Sequence, residues 1–366
     1  MTIIKKILKE YFKKISYGFF LLLYGKIYKY SNYNDFDEVE SKEVKLEDRA
    51  YSIFKIAKSR IYTDRIHNTA VIINQTLVKG PSYQLRNNNN SKIENNIVLK
   101  IGTPRVLKKI KGNVLSLLTG GGGNDNYWHW MFDVLPRIKL CEQIIMRENI
   151  NFLLVPDDKR PFQIETLQNL HFSKDKILSS EKFRHISSDS LIICDHPYVK
   201  KNSHLETQNI PRWIISWLRD VFLKQINNSG VFPSKIFIDR SDSKFYKDKN
   251  YRNIINEEEI MNEIKKKDFI PIRLTDYNFL DQVRIFSQAK EIIGLHGAGF
   301  SNIIFCQKNT KIIEFKTIDA GDMYKNLAKL SQLNYNSINK KPVSSTSQVQ
   351  QGSIEVPINE LNKLLV

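Results

Sequence analysis

Cysteine is nearly absent: the chain of 366 residues contains three, Cys141, Cys194 and Cys306. None stands in a CxxC pair, so neither a disulfide framework nor a thiolate zinc site is supported, and a reducing compartment fits best. Acid is the scarcer charge, with 39 Asp and Glu against 56 Lys and Arg, which leaves a formal net charge of +17. That balance favours anionic partners such as phosphates, nucleic acid or acidic lipid. Nucleic acid is nevertheless not expected, because no RNP-like, zinc-finger or helix-turn-helix signature is present and basic residues are dispersed beyond the first thirty positions. The apolar part of the amino terminus, Ile15 to Tyr24, is interrupted by Ser16 and Gly18 and is too short to cross about 30 Å of hydrocarbon. With 41% hydrophobic and 26% charged residues the composition is that of a folded chain, long enough for two domains.

What is present begins with "MTIIKKILKEYFKKISYGFFLLLYGKIYKY". Ile3, Ile4, Ile7, Leu8, Tyr11, Phe12 and Ile15 recur at helical spacing, with Lys5, Lys6, Lys9, Lys13 and Lys14 mostly between them. Residues 1–30 therefore read as a basic amphipathic helix, expected to hold the protein reversibly at the cytoplasmic, acidic face of a membrane. A helix docked on the domain, or a secretion signal, also fits the pattern, although no small-residue cleavage site follows. Residues 31–50 turn polar and acidic and read as a linker. From 51 to 205, "TAVIINQTLVKG" alternates like a strand pair, and "NVLSLLT", "NFLLVP" and "LIICD" are strand-like runs separated by helical stretches, so a first α/β domain is expected. Residues 206–230, with Ile214, Trp217, Leu218, Val221 and Phe222 at helical spacing, suit a bridging helix. Residues 231–340 alternate strand and helix through "KIFID", "FIPIRL", "EIIGL" and "KIIEF", the pattern of a doubly wound parallel sheet. Residues 341–366 read as a linker and a short terminal element.

Three stretches carry candidate chemistry. In "GGGGNDNYWHWMFDVLPRI", residues 120–138, four glycines offer a flexible turn and Asn126 can cap the helix that follows. His129 and Asp133 lie four residues apart and share a helix face. The carboxylate can then hold one imidazole nitrogen while the other faces a substrate hydroxyl as general base. A packed helix-start histidine fits the same residues, and Trp128 and Trp130 suit either a core or a sugar-stacking platform. In "EIIGLHGAGFSNIIF" a buried strand breaks at His296-Gly297-Ala298-Gly299, a turn into a helix that can cradle a phosphate or can simply be tight. In "KIFIDRSDSKFYKDKNYRNIINEEEI", Arg240 follows a strand and Arg252 precedes a helix, where both can fork a diphosphate. Asn256 with Glu259 makes a capping box there, and the Asp35-x-Asp37 pair in the acidic stretch reads as a chance match.

Taken in order and spacing, "NYWHWMFDVLPRI", the arginine stretch, "LDQVRIFSQAKEIIGLHGAGFSNIIF" and "KIIEF" resemble glycosyltransferase family 61, linked to capsular polysaccharide synthesis, from about Arg60 to Tyr335. The resemblance implies an inverting transferase of GT-B-like α/β architecture, two facing Rossmann-like domains, acting on a nucleotide-sugar donor and a glycan or lipid-linked acceptor. It implies catalysis by His129 and Asp133, with Asn126, Trp128 and Trp130 on the acceptor side. Donor binding falls on Arg240, Arg252, Asn256, Glu257, His296, Gly297, Ala298, Gly299, Asn302 and Glu314. No metal or other cofactor is expected, because arginines and helix N–H groups can stabilise a leaving diphosphate. A catalytically inactive nucleotide-sugar or polysaccharide-binding protein is the alternative, and a nucleic-acid-binding protein a lesser one.

Overall fold

The computed structural model describes residues 3–65, 67–84, 92–118, 125–199, 208–226, 230–243, 251–343 and 352–365. The glycine run at 120–123 lies outside them. The chain divides into two compact units, Met1–Glu206 and Thr207–Val366, both α/β.

The first unit is built on one sheet of eleven strands. His185–Cys194, Lys108–Ser116, Phe152–Val155 and Ile177–Ser179 lie side by side in that order and run parallel. On its other edge the long strand His185–Cys194 pairs antiparallel with Arg60–Thr63 along its first half and with Arg49–Ala57 along its second. Half of the sheet is thus antiparallel, and the unit departs from the Rossmann-like domain expected. The strand pair read in "TAVIINQTLVKG" is a hairpin of Asn68–Ile73 and Thr76–Lys79. Its two loop residues, Asn74 and Gln75, have φ of 44° and 62°, the primed-turn conformation that matches strand twist.

The expected linker at 31–50 is also corrected. Val39–Leu46 pairs along its whole length with Arg49–Ala57, and Lys29–Asn32 pairs with Thr76–Lys79. Val39–Leu46 is mostly exposed, so its side chains are polar, and backbone hydrogen bonding rather than burial makes it a strand. Asp35 accepts the Asn32 N–H at 3.0 Å and closes a short turn, a local structural job. The amino-terminal segment forms a 22-residue helix, Ile3–Tyr24, and no helix among the described residues is long and apolar enough to cross a membrane.

The second unit is a sheet of five parallel strands in the order Ile270–Arg273, Lys235–Asp239, Glu291–Leu295, Lys311–Thr317, Asn334–Lys340. Numbered along the chain this is 2-1-3-4-5. The direction of winding reverses between Lys235–Asp239 and Glu291–Leu295, and ligands of such sheets bind beyond the carboxyl ends of the strands at that reversal. The inner strands are nearly unbroken apolar runs because both faces are covered. Helix Arg212–Leu223, expected as a bridge, packs inside this unit, with Phe222 edge-on to Phe279 at 4.7 Å.

The carboxyl-terminal segment also belongs to this core. Ile354, Val356 and Leu361 are fully buried with Ile254 and Ile260. Asn256 ties the two strips of chain together: its amide nitrogen donates to the Val356 carbonyl at 2.9 Å and its carbonyl accepts the Val356 N–H at 3.0 Å. The side chain is turned to Val356 and makes no cap hydrogen bond to the helix, so only the Asn256–Glu259 side-chain contact at 3.2 Å remains of the expected capping box. Asn256→Ala strands both Val356 groups and should cost about 1–3 kcal/mol of unfolding free energy in urea titrations, with donor affinity of the folded protein retained.

Candidate active site

The first cluster forms beyond the carboxyl ends of two neighbouring parallel strands. Lys108–Ser116 leads toward Asn126, whose side chain accepts the Trp128 N–H at 2.9 Å and caps a short helix, Tyr127–His129. Trp130–Val134 continues as a π-helical turn, a local widening common at functional sites. Across this turn the His129 Nδ1–H donates to Asp133 Oδ2 at 2.7 Å. Asp133 is 1% exposed, whereas the His129 side chain keeps 31% of its surface. Its Nε2 is thus the nitrogen left to meet a substrate.

The adjacent strand His185–Cys194 supplies two further partners. The Tyr198 hydroxyl donates to Asp133 Oδ1. His196 Nδ1 accepts the N–H groups of Tyr198 and Val199 at 3.3 and 3.1 Å, so its proton sits on Nε2, 3.5 Å from Asp133 Oδ2. The loop is itself anchored by Ser52 N–H to Asp195 at 2.7 Å and by Arg49 to the Tyr198 carbonyl at 2.9 Å.

Burial alone would push the Asp133 carboxyl up, but the His129 charge and hydrogen bond, with His196 3.5 Å away, hold it well below the usual carboxylate range. Burial likewise opposes a charged His129, and the neighbouring Asp133 charge and hydrogen bond outweigh it and raise the imidazole. Burial pushes the Tyr198 hydroxyl well above its ordinary value, with Asp133 adding to the effect, so it stays a donor. The arrangement is a base of raised strength whose tautomer and direction are set by an ionised carboxylate.

The second cluster lies at the winding reversal of the other unit. Arg240 follows Lys235–Asp239 and His296 follows Glu291–Leu295. Arg240 donates to the His296 carbonyl at 2.9 Å and Arg252 to the same oxygen at 3.2 Å. Among the described residues neither guanidinium has an ion-pair partner. Burial, then the neighbouring Arg252 charge, lowers Arg240 to about 10, and burial lowers Arg252 as well. Two neighbouring guanidinium groups without an acid partner among the described residues have the charge and paired donors that an anion can use.

Close approach explains the glycines of this turn. A Cβ on Gly297 would stand 3.1 Å from the Arg240 guanidinium carbon, and one on Gly299 would stand 2.8 Å from Leu274. Ala298 begins the expected helix, which runs for eight residues in 3-10 form. His296 is buried, and that burial lowers its imidazole; its Nδ1–H donates to Glu314, whose other oxygen accepts the Tyr335 hydroxyl.

The model of the family described as glycosyltransferase 61 matches residues 127–313, just over half of the chain. The chain belongs to the glycosyltransferase 61 family. The matched range runs through both clusters. The chain is also similar to the EGF domain-specific O-linked N-acetylglucosamine transferases of Mus musculus and Canis lupus familiaris, 32% and 31% identical over 90 residues. The Drosophila melanogaster protein of that name is 28% identical over 88. These alignments cover 23% of this chain and 17% of each relative.

Within this glycosyltransferase 61 chain the residues singled out from sequence sort into three groups. His129 and Asp133 are joined as expected, and Arg240, Arg252, His296, Gly297 and Glu314 converge. Asn302 is buried and donates to Gln282 at 3.0 Å, Asn256 is occupied by Val356, and Glu257 opens the helix Glu257–Lys265. Trp128 and Trp130 are a correction: at 4% and 0% exposure they are core, with the Trp130 indole N–H donating to Thr166 at 2.8 Å, so no ring face is free for a sugar. His196, Tyr198 and Tyr335 were not anticipated. His196 directly follows a run read as a strand, the one signal available for it.

A pH signature follows from the Asp133 cluster. Asp133, lowered by folding, contributes stability above its unfolded value near 3.9, and that contribution is lost as pH falls through the folded value. His129, raised by folding, contributes below its unfolded value near 6.5 and loses this as pH rises through the folded value. Asp133→Asn should therefore depress the melting temperature more at about pH 5.5 than at about pH 8.5.

Proposed function

We propose that this protein is an inverting glycosyltransferase that moves a sugar from a nucleotide-sugar donor to a glycan or lipid-linked glycan acceptor of surface polysaccharide synthesis, in the GT-B manner the family resemblance implies. The observation that carries the reading is the convergence of Arg240 and Arg252, without an acid partner among the described residues, on the His296 carbonyl at the winding reversal. A nucleoside diphosphate presents the paired oxygens that two guanidinium groups match. In this reading the arginines and the start of the Ala298 helix take up charge as the diphosphate leaves, so transfer needs no divalent cation.

The acceptor hydroxyl is deprotonated by His129 Nε2. A base removing that proton while the hydroxyl attacks from the face opposite the leaving diphosphate gives inversion in one step, with the proton left on the imidazole beside Asp133. The base contributes about 10²- to 10⁴-fold to the rate. The named relatives make nucleotide-activated N-acetylglucosamine the first donor to try.

Thermal shift against a panel of nucleotide sugars, followed by transfer assays with the stabilising donor, separates this reading from an inactive binding protein. His129→Ala should lower single-turnover transfer by about 10²- to 10⁴-fold and leave donor affinity within a few-fold. Arg240→Ala should weaken nucleoside diphosphate binding while sparing the free nucleoside, and EDTA should not change the transfer rate. Stabilisation by a donor without turnover on any acceptor would leave only the binding role.

A further inference from the structure

The first helix and a cavity at its root have no role in the transfer step proposed above. Along Ile3–Tyr24, Leu8, Phe12, Ile15, Phe19, Leu22 and Leu23 are between 56% and 90% exposed. Their spacing of three and four residues puts them on one stripe, an apolar surface that an isolated soluble helix would not keep open to water. The opposite face is docked. Phe20 stacks on Tyr24 at 5.9 Å, the Tyr24 ring stands edge-on to His185 at 5.0 Å, and the Tyr24 hydroxyl accepts the Leu107 N–H at 2.8 Å. The direction of the stripe is therefore fixed against the first unit.

Beside this docking point lies a cavity of about 500 Å³ whose lining includes Leu23, Tyr24, Lys58, Arg60, Ser187 and Ser188. It carries two cations and no acid. Arg60 donates only to neutral acceptors: Thr103 Oγ1 at 3.2 Å, His185 Nε2 at 3.4 Å and the Tyr24 carbonyl at 3.3 Å. His185 in turn gives its Nδ1 proton to the Arg105 carbonyl at 2.9 Å. The Arg60 charge is thus oriented but uncompensated among the described residues, and it sits where the apolar stripe ends.

We propose that this chain lies on acidic membranes in one defined pose, with the stripe among the acyl chains and the adjoining cavity taking the phosphate of an anionic phospholipid on Arg60 and Lys58. Charge decides the occupant. A protein partner or a second copy would cover the stripe but leave the cavity cations unmet, whereas an anionic phospholipid joins an apolar part to a phosphate, and Leu23 of the stripe itself lines the cavity that holds Arg60 and Lys58. Lys13 and Lys14 are exposed on the same helix, and Lys5, Lys6 and Lys9 belong to it by sequence. From Leu8 to Leu23 the helix runs about 23 Å, which suits lying flat in the headgroup region. The inference does not depend on sugar transfer.

The test is co-sedimentation of the full chain with phosphatidylcholine vesicles, with and without phosphatidylglycerol, supplemented by melts with short-chain phosphatidylglycerol and with inorganic phosphate. The wild type should bind the anionic vesicles at least about tenfold more tightly. Phe12→Ser combined with Phe19→Ser should remove binding to both vesicle types. Lys58 is exposed, so Lys58→Gln folds normally; it should weaken binding to the anionic vesicles about fivefold, leave phosphatidylcholine binding unchanged and reduce stabilisation by the short-chain lipid. Undiminished binding by either variant overturns the proposal. So does stabilisation by inorganic phosphate equal to that by the short-chain lipid, which would make the cavity a site for free phosphate, or loss of self-association by the stripe variant without any vesicle binding in the wild type.

Discussion

The interaction on which the first unit's chemistry rests is the enclosure of one carboxylate. Asp133 is removed from water, and an isolated buried carboxylate would cost several kcal/mol or take up a proton. It remains charged because His129, Tyr198 and His196 direct donors at it from two loops that follow neighbouring parallel strands. The same constraint orients His129: the only nitrogen it can turn outward is Nε2, because Nδ1 is held by the carboxylate. The capping of Tyr127–His129 by Asn126, the π-helical turn after it and the anchoring of Asp195 and Tyr198 by the edge hairpin all serve that enclosure.

The second unit solves the opposite problem. There two positive groups are brought together without an acid among the described residues, and one backbone oxygen holds both. Half-buried like charges repel, so the arrangement is poised to gain by accepting a polyanion. The glycines at 297 and 299 let the chain pass within van der Waals contact of Arg240 and Leu274, and Glu314 with Tyr335 keeps His296 turned. For a chain of net charge +17, two distinct local uses for cations are thus proposed, one at a donor diphosphate and one at a lipid phosphate.

Legibility in the sequence followed the physics of each element. Four of the five strands of the second unit were readable as short apolar runs, whereas the polar edge strand Asn334–Lys340 was not, and the pairing of His129 with Asp133 was readable because four-residue spacing on a helix is a local geometry. Val39–Leu46 was not readable as a strand, since its stability comes from backbone pairing with a partner and its exposed side chains look like those of a loop. His196 and Tyr198 reach Asp133 from 63 and 65 residues away, a distance no spacing rule covers. Trp130 looked equally suited to core and sugar, and only its lack of exposed surface decided between them.

The central claim is that His129, strengthened by the enclosed Asp133, is the base for transfer. The most direct measurement is the pH dependence of single-turnover transfer at saturating donor, compared between the wild type and Asp133→Asn. The wild-type rate should rise with pH through one ionisation above the ordinary histidine value near 6.5, and in Asp133→Asn this ionisation should move down while the plateau falls. A rate independent of pH across that range, or an ionisation that Asp133→Asn leaves in place, would contradict it.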